Sequence, residues 1–265
     1  MIFASDGIIT KVIDSNTDRL VYILTPARGR ILVSVKGGKK PGGALTAASQ
    51  LFTYGNYEIY EKNSMYWMRS GAPAESFYGI SSDIERLALG TYLCELANEL
   101  TDENVDGGEI MKLLLNSLYL ISKNSKSHTL IKAVFEIRCA AISGYCPDMC
   151  SCAYCKRSEN DLFYFDITGG RIYCPDCFAK HDKAVPRVSR EFEYIERKSS
   201  VALLTPAALA AFRYVLSSQP NKIFSFEIKD KDELENFGKT AQTYILEHLG
   251  RGFDSLDFYK TVKSL

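Results

Sequence analysis

Two C-x-x-C pairs, Cys152-Ala-Tyr-Cys155 and, eighteen residues later, Cys174-Pro-Asp-Cys177, constrain this chain more than any other feature of it. Each pair turns the backbone so that two sulfurs converge on one ion at about 2.3 Å, and two such pairs close a tetrahedron. No position remains for water or substrate, so the expected cofactor is one structural Zn2+ per chain. Between the pairs, Leu162-Phe-Tyr-Phe-Asp-Ile and Thr168-Gly-Gly-Arg-Ile-Tyr read as two short strands around a Gly-Gly turn. A zinc ribbon or four-cysteine finger over residues 151–180 follows, folded by its metal.

Two disulfides or a redox dithiol are the competing readings. Redox dithiols open a helix in a βαβ setting, whereas both pairs here flank a hairpin-like segment. The start, Met1-Ile-Phe-Ala-Ser-Asp-Gly, lacks the basic and apolar regions of a signal peptide. No run of about 18 apolar residues spans a bilayer. The expectation is a cytoplasmic protein whose thiols stay reduced. Of the other cysteines, Cys94 and Cys139 fall on apolar helical faces and read as core thiols. Cys146 and Cys150 lie just upstream of the first pair, and Cys150 is too close to Cys152 for a standard knuckle. His181 trails the second pair and could substitute as a ligand, but four cysteines already close the site.

The chain has 32 basic and 32 acidic residues, but they are not evenly spread. Residues 1–45 hold Lys11, Arg19, Arg28, Arg30, Lys36, Lys39 and Lys40 against Asp6, Asp14 and Asp18, while residues 81–150 hold ten acidic and six basic side chains. A polyanion is therefore expected on the N-terminal part. Five β-rich runs fill residues 1–80, at 7–13, 19–24, 30–36, 51–60 and 65–68, broken by Asn16, Pro26–Gly29, Gly37–Gly43 and Asn63-Ser64. Five short strands in that length suit a small barrel of the oligonucleotide-binding (OB) type. Amphipathic helical patterns follow at 83–97, 108–118 and 129–139, and again at 206–216 and 233–249. The expected architecture is thus α+β and multidomain: an OB-type barrel at 1–80, a helical domain from 81–150 and 181–265, and the zinc-binding insertion at 151–180.

Arg28 and Arg30 flank a tight turn, and Lys36, Lys39 and Lys40 sit in a glycine-rich loop, so their cations can track a phosphate backbone. Phe52, Tyr54, Tyr57, Tyr60, Tyr66 and Trp67 are candidate stacking faces, about half of them expected to be core because strands favour aromatics regardless of function. Lys132 and Arg138, six apart on one helix, are loose candidates for meeting a partner's acidic tail. No catalytic constellation is expected. Gly238-Lys-Thr240 imitates a phosphate-binding loop, but Glu233 stands where its first glycine belongs and the segment reads as helix. The deaminase pattern is absent, and His128, His181 and His248 have no nucleophile motif beside them.

Several stretches resemble the RecO family of bacterial recombination mediators. They are Thr17-Asp-Arg-Leu-Val-Tyr-Ile-Leu-Thr-Pro-Ala-Arg-Gly-Arg-Ile with Val35-Lys-Gly, Ser143-Gly-Tyr-Cys-Pro, Gly169-Gly-Arg-Ile-Tyr-Cys, and His248-Leu-Gly with Phe253-Asp-Ser-Leu-Asp-Phe. The likeness covers nearly the whole chain. It implies a non-enzymatic protein of the RecF pathway that binds single-stranded DNA and the single-strand-binding protein, joins RecR, anneals complementary strands and assists RecA loading, with RecF as a further partner. Asp254 stands where many members carry lysine, so the basic contact of the family's tail is not carried over to this chain. The other reading of the same residues is a zinc-ribbon adaptor in transcription or RNA metabolism.

Overall fold

A computed structural model describes residues 1–16, 18–181 and 201–264. The side chain of His181, considered above as a substitute metal ligand, lies outside the described residues.

Strands β1 (Ile2–Ser15), β2 (Asp18–Thr25) and β3 (Gly29–Val35), the short helix α1 (Ala44–Ala48), and strands β4 (Tyr54–Lys62) and β5 (Met65–Glu75) form the first module. The strands close into a barrel in the order β1-β2-β3-β5-β4, with β4 returning to β1 and β3 running parallel to β5. Closure is possible because β1 serves two partners. Ile2–Ile8 pairs with β4 and Ile8–Ser15 with β2, and a bulge between Ile9 and Lys11 bends the strand between them. Alternation then decides the core: Val21 and Ile23 on β2, Ile31, Val33 and Val35 on β3, and Tyr57 and Ile59 on β4 are fully buried, with Ala48 of α1 against them. This is the OB-type barrel expected from residues 1–80.

Helices α2 (Tyr78–Ser81), α3 (Ile84–Glu99) and α4 (Gly108–Lys123) follow. Asp83 caps α3, its side chain accepting from the Arg86 N–H at 2.9 Å. Helix α3 is apolar nearly all round because it packs on β1 as well as on α4, burying Leu89, Tyr92, Leu93, Leu96 and Ala97. A buried hydrogen bond, Thr10 Oγ1 to Asn98 Oδ1 at 2.7 Å, ties the bulge of β1 to the end of α3.

The chain continues through α5 (His128–Ile142), β6 (Phe163–Asp166), β7 (Arg171–Tyr173), α6 (Pro175–His181), β8 (Val201–Leu204), α7 (Pro206–Ser217), α8 (Lys231–Leu249) and α9 (Asp254–Lys263). Strands β7-β6-β8 make an antiparallel sheet. Its inner face, Phe163, Phe165, Ile172 and Leu204, is buried, and Phe165 packs on Phe212 of α7 and Tyr244 of α8.

Contacts divide the chain into two compact units, Met1–His128 with Phe253–Leu265, and Thr129–Gly252. This cut differs from the three segments expected from sequence. Helices α3 and α4 belong with the barrel, since α3 packs on β1 and α4 on β2, and α9 joins them by packing along α3. The helical material is therefore shared between two cores. Among the described residues, no helix is long and apolar enough to cross a membrane.

Candidate metal centre and nucleic-acid interface

The two knuckles are brought together by the hairpin between them. The first is a loop whose Ala153 N–H donates to the Ile172 carbonyl of β7 at 2.9 Å, and the second sits at the end of β7 and runs into α6. All four sulfurs of Cys152, Cys155, Cys174 and Cys177 lie within 4.8 Å of one another, and Cys155 Sγ is 3.6 Å from Cys174 Sγ. Four bonds of 2.3 Å at tetrahedral angles place sulfurs about 3.8 Å apart, so the donor set fits one metal ion. Cys152 and Cys174 are buried, and the Cys174 N–H donates to Cys152 Sγ at 3.3 Å. Burial alone would raise the Cys152 thiol, but backbone N–H groups from Cys155, Cys174 and Tyr154 turned toward its sulfur bring it well below the usual thiol value. Cys177 goes the other way, raised by burial and by side-chain hydrogen bonds with Cys174, Cys155 and Cys152, as sulfurs converging on one point must when they share protons. Arg157 stands beside this cluster, 3.1 Å from Asp176.

Contrary to expectation, the second knuckle does open a helix. Helix α6 begins at Pro175, and Cys174 supplies the carbonyl that accepts from the Phe178 N–H. A hairpin setting therefore does not separate this site from a redox dithiol; the convergence of four sulfurs does. Cys94 and Cys139 are fully buried and burial raises both thiols, as core cysteines should behave. Cys146 and Cys150 are exposed and outside the cluster.

The five cations expected to meet DNA fall into two groups. Arg28 and Arg30 lie at the start of β3 and Lys36, Lys39 and Lys40 beyond its end, about 20 Å apart along a strand rising ~3.3 Å per residue. Arg28 pairs with Glu61 at 3.1 Å and its guanidinium lies 4.0 Å from the Phe3 ring centroid. Arg30 donates to the Asn98 carbonyl at 2.6 Å and lies 3.8 Å from Asp102. Both arginines are half-buried and committed to partners inside the chain. The lysines differ. All three are exposed; Lys39 is 3.5 Å from Asp14, while Lys36 and Lys40 have no partner among the described residues and border an open depression of about 460 Å3 with Gly37 and Leu45.

Of the six candidate aromatics, Phe52, Tyr57 and Tyr66 are buried and Tyr54, Tyr60 and Trp67 are not. The register places Trp67 beside Ser34 and Tyr60, and Ser34 beside Leu20, which pairs with Ile13. Ile13, Leu20, Trp67 and Tyr60 thus form one band on the outside of the barrel, with the Tyr60 and Trp67 rings 5.8 Å apart. Leu32 and Tyr22 lie in the next row of that face. Sequence reasoning missed the aliphatic members, Ile13, Leu20 and Leu32, each 37–41 % exposed. For Leu20 and Leu32 the signal was strand alternation, since each has the opposite parity to the buried Val21, Ile23 and Val33 of its own or the neighbouring strand. Ile13 shares the parity of the buried Ile9 and faces outward because the bulge between Ile9 and Lys11 shifts the alternation.

The phosphate-loop look-alike dissolves. Gly238-Lys-Thr240 lies inside α8, with Gly238 and Thr240 buried. His128 Nδ1 is 2.8 Å from Glu85, and His248 Nδ1 is 2.9 Å from the Tyr244 carbonyl. The loose candidates for partner binding are occupied too: Lys132 is buried and paired with Glu136 at 2.9 Å, and Arg138 donates to the Leu216 carbonyl at 3.4 Å.

Comparison with known proteins adds a family to this geometry. The model described as "Recombination protein O N terminal" matches residues 1–77, and "Recombination protein O C terminal" matches residues 81–203. The chain is 31% identical to the DNA repair protein RecO of Acetivibrio thermocellus over 259 residues, covering 97% of this chain and 96% of that one. It is 25% identical to that of Clostridium acetobutylicum over 265 residues, 100% and 96% of the two chains. To that of Bacillus subtilis it is 27% identical over 203 residues, 74% and 79% of the two chains.

Proposed function

This chain belongs to the RecO family of DNA repair proteins, and from that premise we propose that it is a recombination mediator that binds single-stranded DNA on its barrel and anneals complementary strands. The observation that carries the reading is the pairing of exposed Lys36, Lys39 and Lys40 with a neighbouring face of Ile13, Leu20, Leu32, Tyr60 and Trp67. Lys36 is the first residue past β3, two positions on from Ser34 in that strand's outer row, so a phosphate backbone held by the loop would run beside the apolar band. Flat and aliphatic surface takes bases of any sequence, while flexible ammonium groups neutralise phosphates without reading them.

Annealing on such a surface requires no catalytic group. Two strands repel each other through their phosphates, and a cationic face that holds both lowers that repulsion and raises their local concentration. The step therefore runs without nucleotide hydrolysis. The metal in this reading is zinc, closed in by four thiolates, and its part is to fold the segment around the knuckles. RecR and the single-strand-binding protein are the proposed protein partners, contacting surfaces other than the lysine loop, with RecA loading as the outcome.

The test is a binding titration against single-stranded DNA, duplex DNA and structured RNA at two salt concentrations, followed by strand annealing with and without ATP. Preferred binding of single-stranded DNA, weakening steeply with salt, and annealing that ignores ATP are expected. Preference for structured RNA would move the reading to an RNA adaptor, and an ATP requirement would overturn the annealing mechanism.

A further inference from the structure

Arg213, on the inward turn of α7, reaches a loop more than fifty residues upstream of it. Its Nε donates to the Met149 carbonyl at 2.7 Å, and its Nη2 donates to the Cys150 carbonyl at 3.0 Å and to the Ser158 carbonyl at 2.8 Å. Met149 and Cys150 precede the first knuckle and Ser158 follows it. One planar guanidinium therefore fastens both ends of the loop that carries Cys152 and Cys155. Inside that loop the turn is closed by the Cys152 N–H on the Arg157 carbonyl at 2.8 Å and the Lys156 N–H on the Cys152 carbonyl at 3.0 Å.

From this geometry we infer that Arg213 is a positioning residue for the metal centre: it holds the first knuckle in its ligating shape from the helical scaffold, so that metal affinity depends on a side chain that is not a ligand. The inference rests on the four-cysteine site being a metal site. Three carbonyls on two sides of a loop need a donor with several N–H groups in one plane, which arginine has and lysine lacks. Without it, the first knuckle must be ordered by the ion itself, and that ordering cost is subtracted from binding. The second knuckle has separate supports, since it begins at the end of β7 and continues into α6.

The experiment compares zinc affinity, by competition with a chromophoric chelator, for the full chain and for Arg213→Met, Arg213→Lys and Arg138→Met. Arg138 is the internal reference, because it is likewise an arginine bonded to a backbone carbonyl of this unit, that of Leu216 on α7, with no hydrogen bond to the knuckle loop among the described residues. Arg213→Met is expected to lose about 10- to 100-fold in zinc affinity, the range seen when an outer-shell support is removed, with Arg213→Lys between it and the parent. Arg138→Met is expected to lose thermal stability while holding zinc as tightly as the parent. In the Co2+ form, Arg213→Met should keep a tetrahedral thiolate spectrum at saturation, since the ligands are unchanged. Zinc affinity within twofold of the parent for both Arg213 variants would overturn the inference, as would an equal loss in Arg138→Met. If Arg213→Met does not fold, the lysine variant alone decides. A parent chain without tetrahedral thiolate absorption under Co2+ would instead refute the metal site beneath it.

Discussion

A positive charge in the sequence says nothing about whether it is already taken. Arg28, Arg30, Lys36, Lys39 and Lys40 look alike as candidates, yet the structure gives the arginines carboxylate, carbonyl and ring partners and leaves Lys36 and Lys40 to solvent. Those partners, Glu61, Asn98 and Phe3, lie 25 to 68 positions away in the chain, too far for a pattern to reveal. The two groups should respond oppositely to alanine. Replacing Lys36, Lys39 and Lys40 should leave thermal stability unchanged and flatten the salt dependence of single-stranded DNA binding by roughly 0.7 for each phosphate no longer neutralised; an unchanged slope would show the loop to be solvated surface. Arg28→Ala should instead lower stability, chiefly through its ring and carboxylate partners, with little change in the slope. Asp83 is a residue whose role should follow pH. The Arg86 N–H bonded to its carboxyl holds that group below the ordinary carboxylate value, so its capping contribution is present at neutral pH. It is lost as pH falls below about 4 and through the lowered value. Asp83→Ala should cost about 1 kcal/mol at neutral pH, whereas Asp83→Asn should keep the cap but lose that pH dependence, both read by denaturant unfolding across pH.

Elements with a strong period of their own were legible. The five barrel strands, and helices α3, α4, α5, α7 and α8, follow from alternation and helical spacing. What escaped were pieces whose reason for existing lies elsewhere. Strand β8 is four residues long and becomes a strand because β6 offers it an edge. Helix α9 begins at Asp254 and is held by α3 through Leu256, Tyr259 and a ring contact between Phe253 and Tyr92 at 5.8 Å. The turn between β2 and β3 shows the same dependence. Gly29 has φ +60, and a Cβ there would meet the Asp102 carbonyl oxygen at 2.1 Å and that of Val105 at 2.7 Å. The Asn104 N–H donates to the Arg28 carbonyl at 2.9 Å across the same approach. The glycine of the Arg-Gly-Arg motif is thus required where the barrel turn meets the segment between α3 and α4. Gly29→Ala should destabilise the protein by on the order of 3 kcal/mol, from left-handed strain together with the backbone clash. Equilibrium unfolding measures this, and a loss under about 1 kcal/mol, the least that such strain costs, would mean that the approach is not as close as described.

At the scale of the molecule, the architecture could be inferred from sequence but its partition could not, because partition depends on which faces meet. The barrel unit comprises Met1–His128 and Phe253–Leu265, and the other unit, Thr129–Gly252, holds the four-cysteine cluster. The metal's reach should follow that boundary. The sheet β7-β6-β8 has few residues of its own, and β7 ends directly at Cys174, so an ion held by the proposed site would restrain one edge of the sheet's core of Phe163, Phe165 and Ile172. The barrel core of Val21, Ile31, Val33 and Tyr57 contains no ligand and closes on itself. Stripping the metal with a strong chelator, or replacing Cys174 by Ser, should therefore lower the unfolding temperature of the Thr129–Gly252 unit and release its amides to hydrogen exchange, while amides of β1 to β5 keep their protection. Acid should act in the same direction, since protons compete with the ion for thiolates, so metal retention should fall as pH falls. Amide exchange with mass readout, on chelated and metal-replete protein, separates the two units. Equal loss of protection in the barrel strands would show that the two cores fold as one, and full protection around Cys152 and Cys174 after chelation would show that the thiolates hold nothing the fold needs.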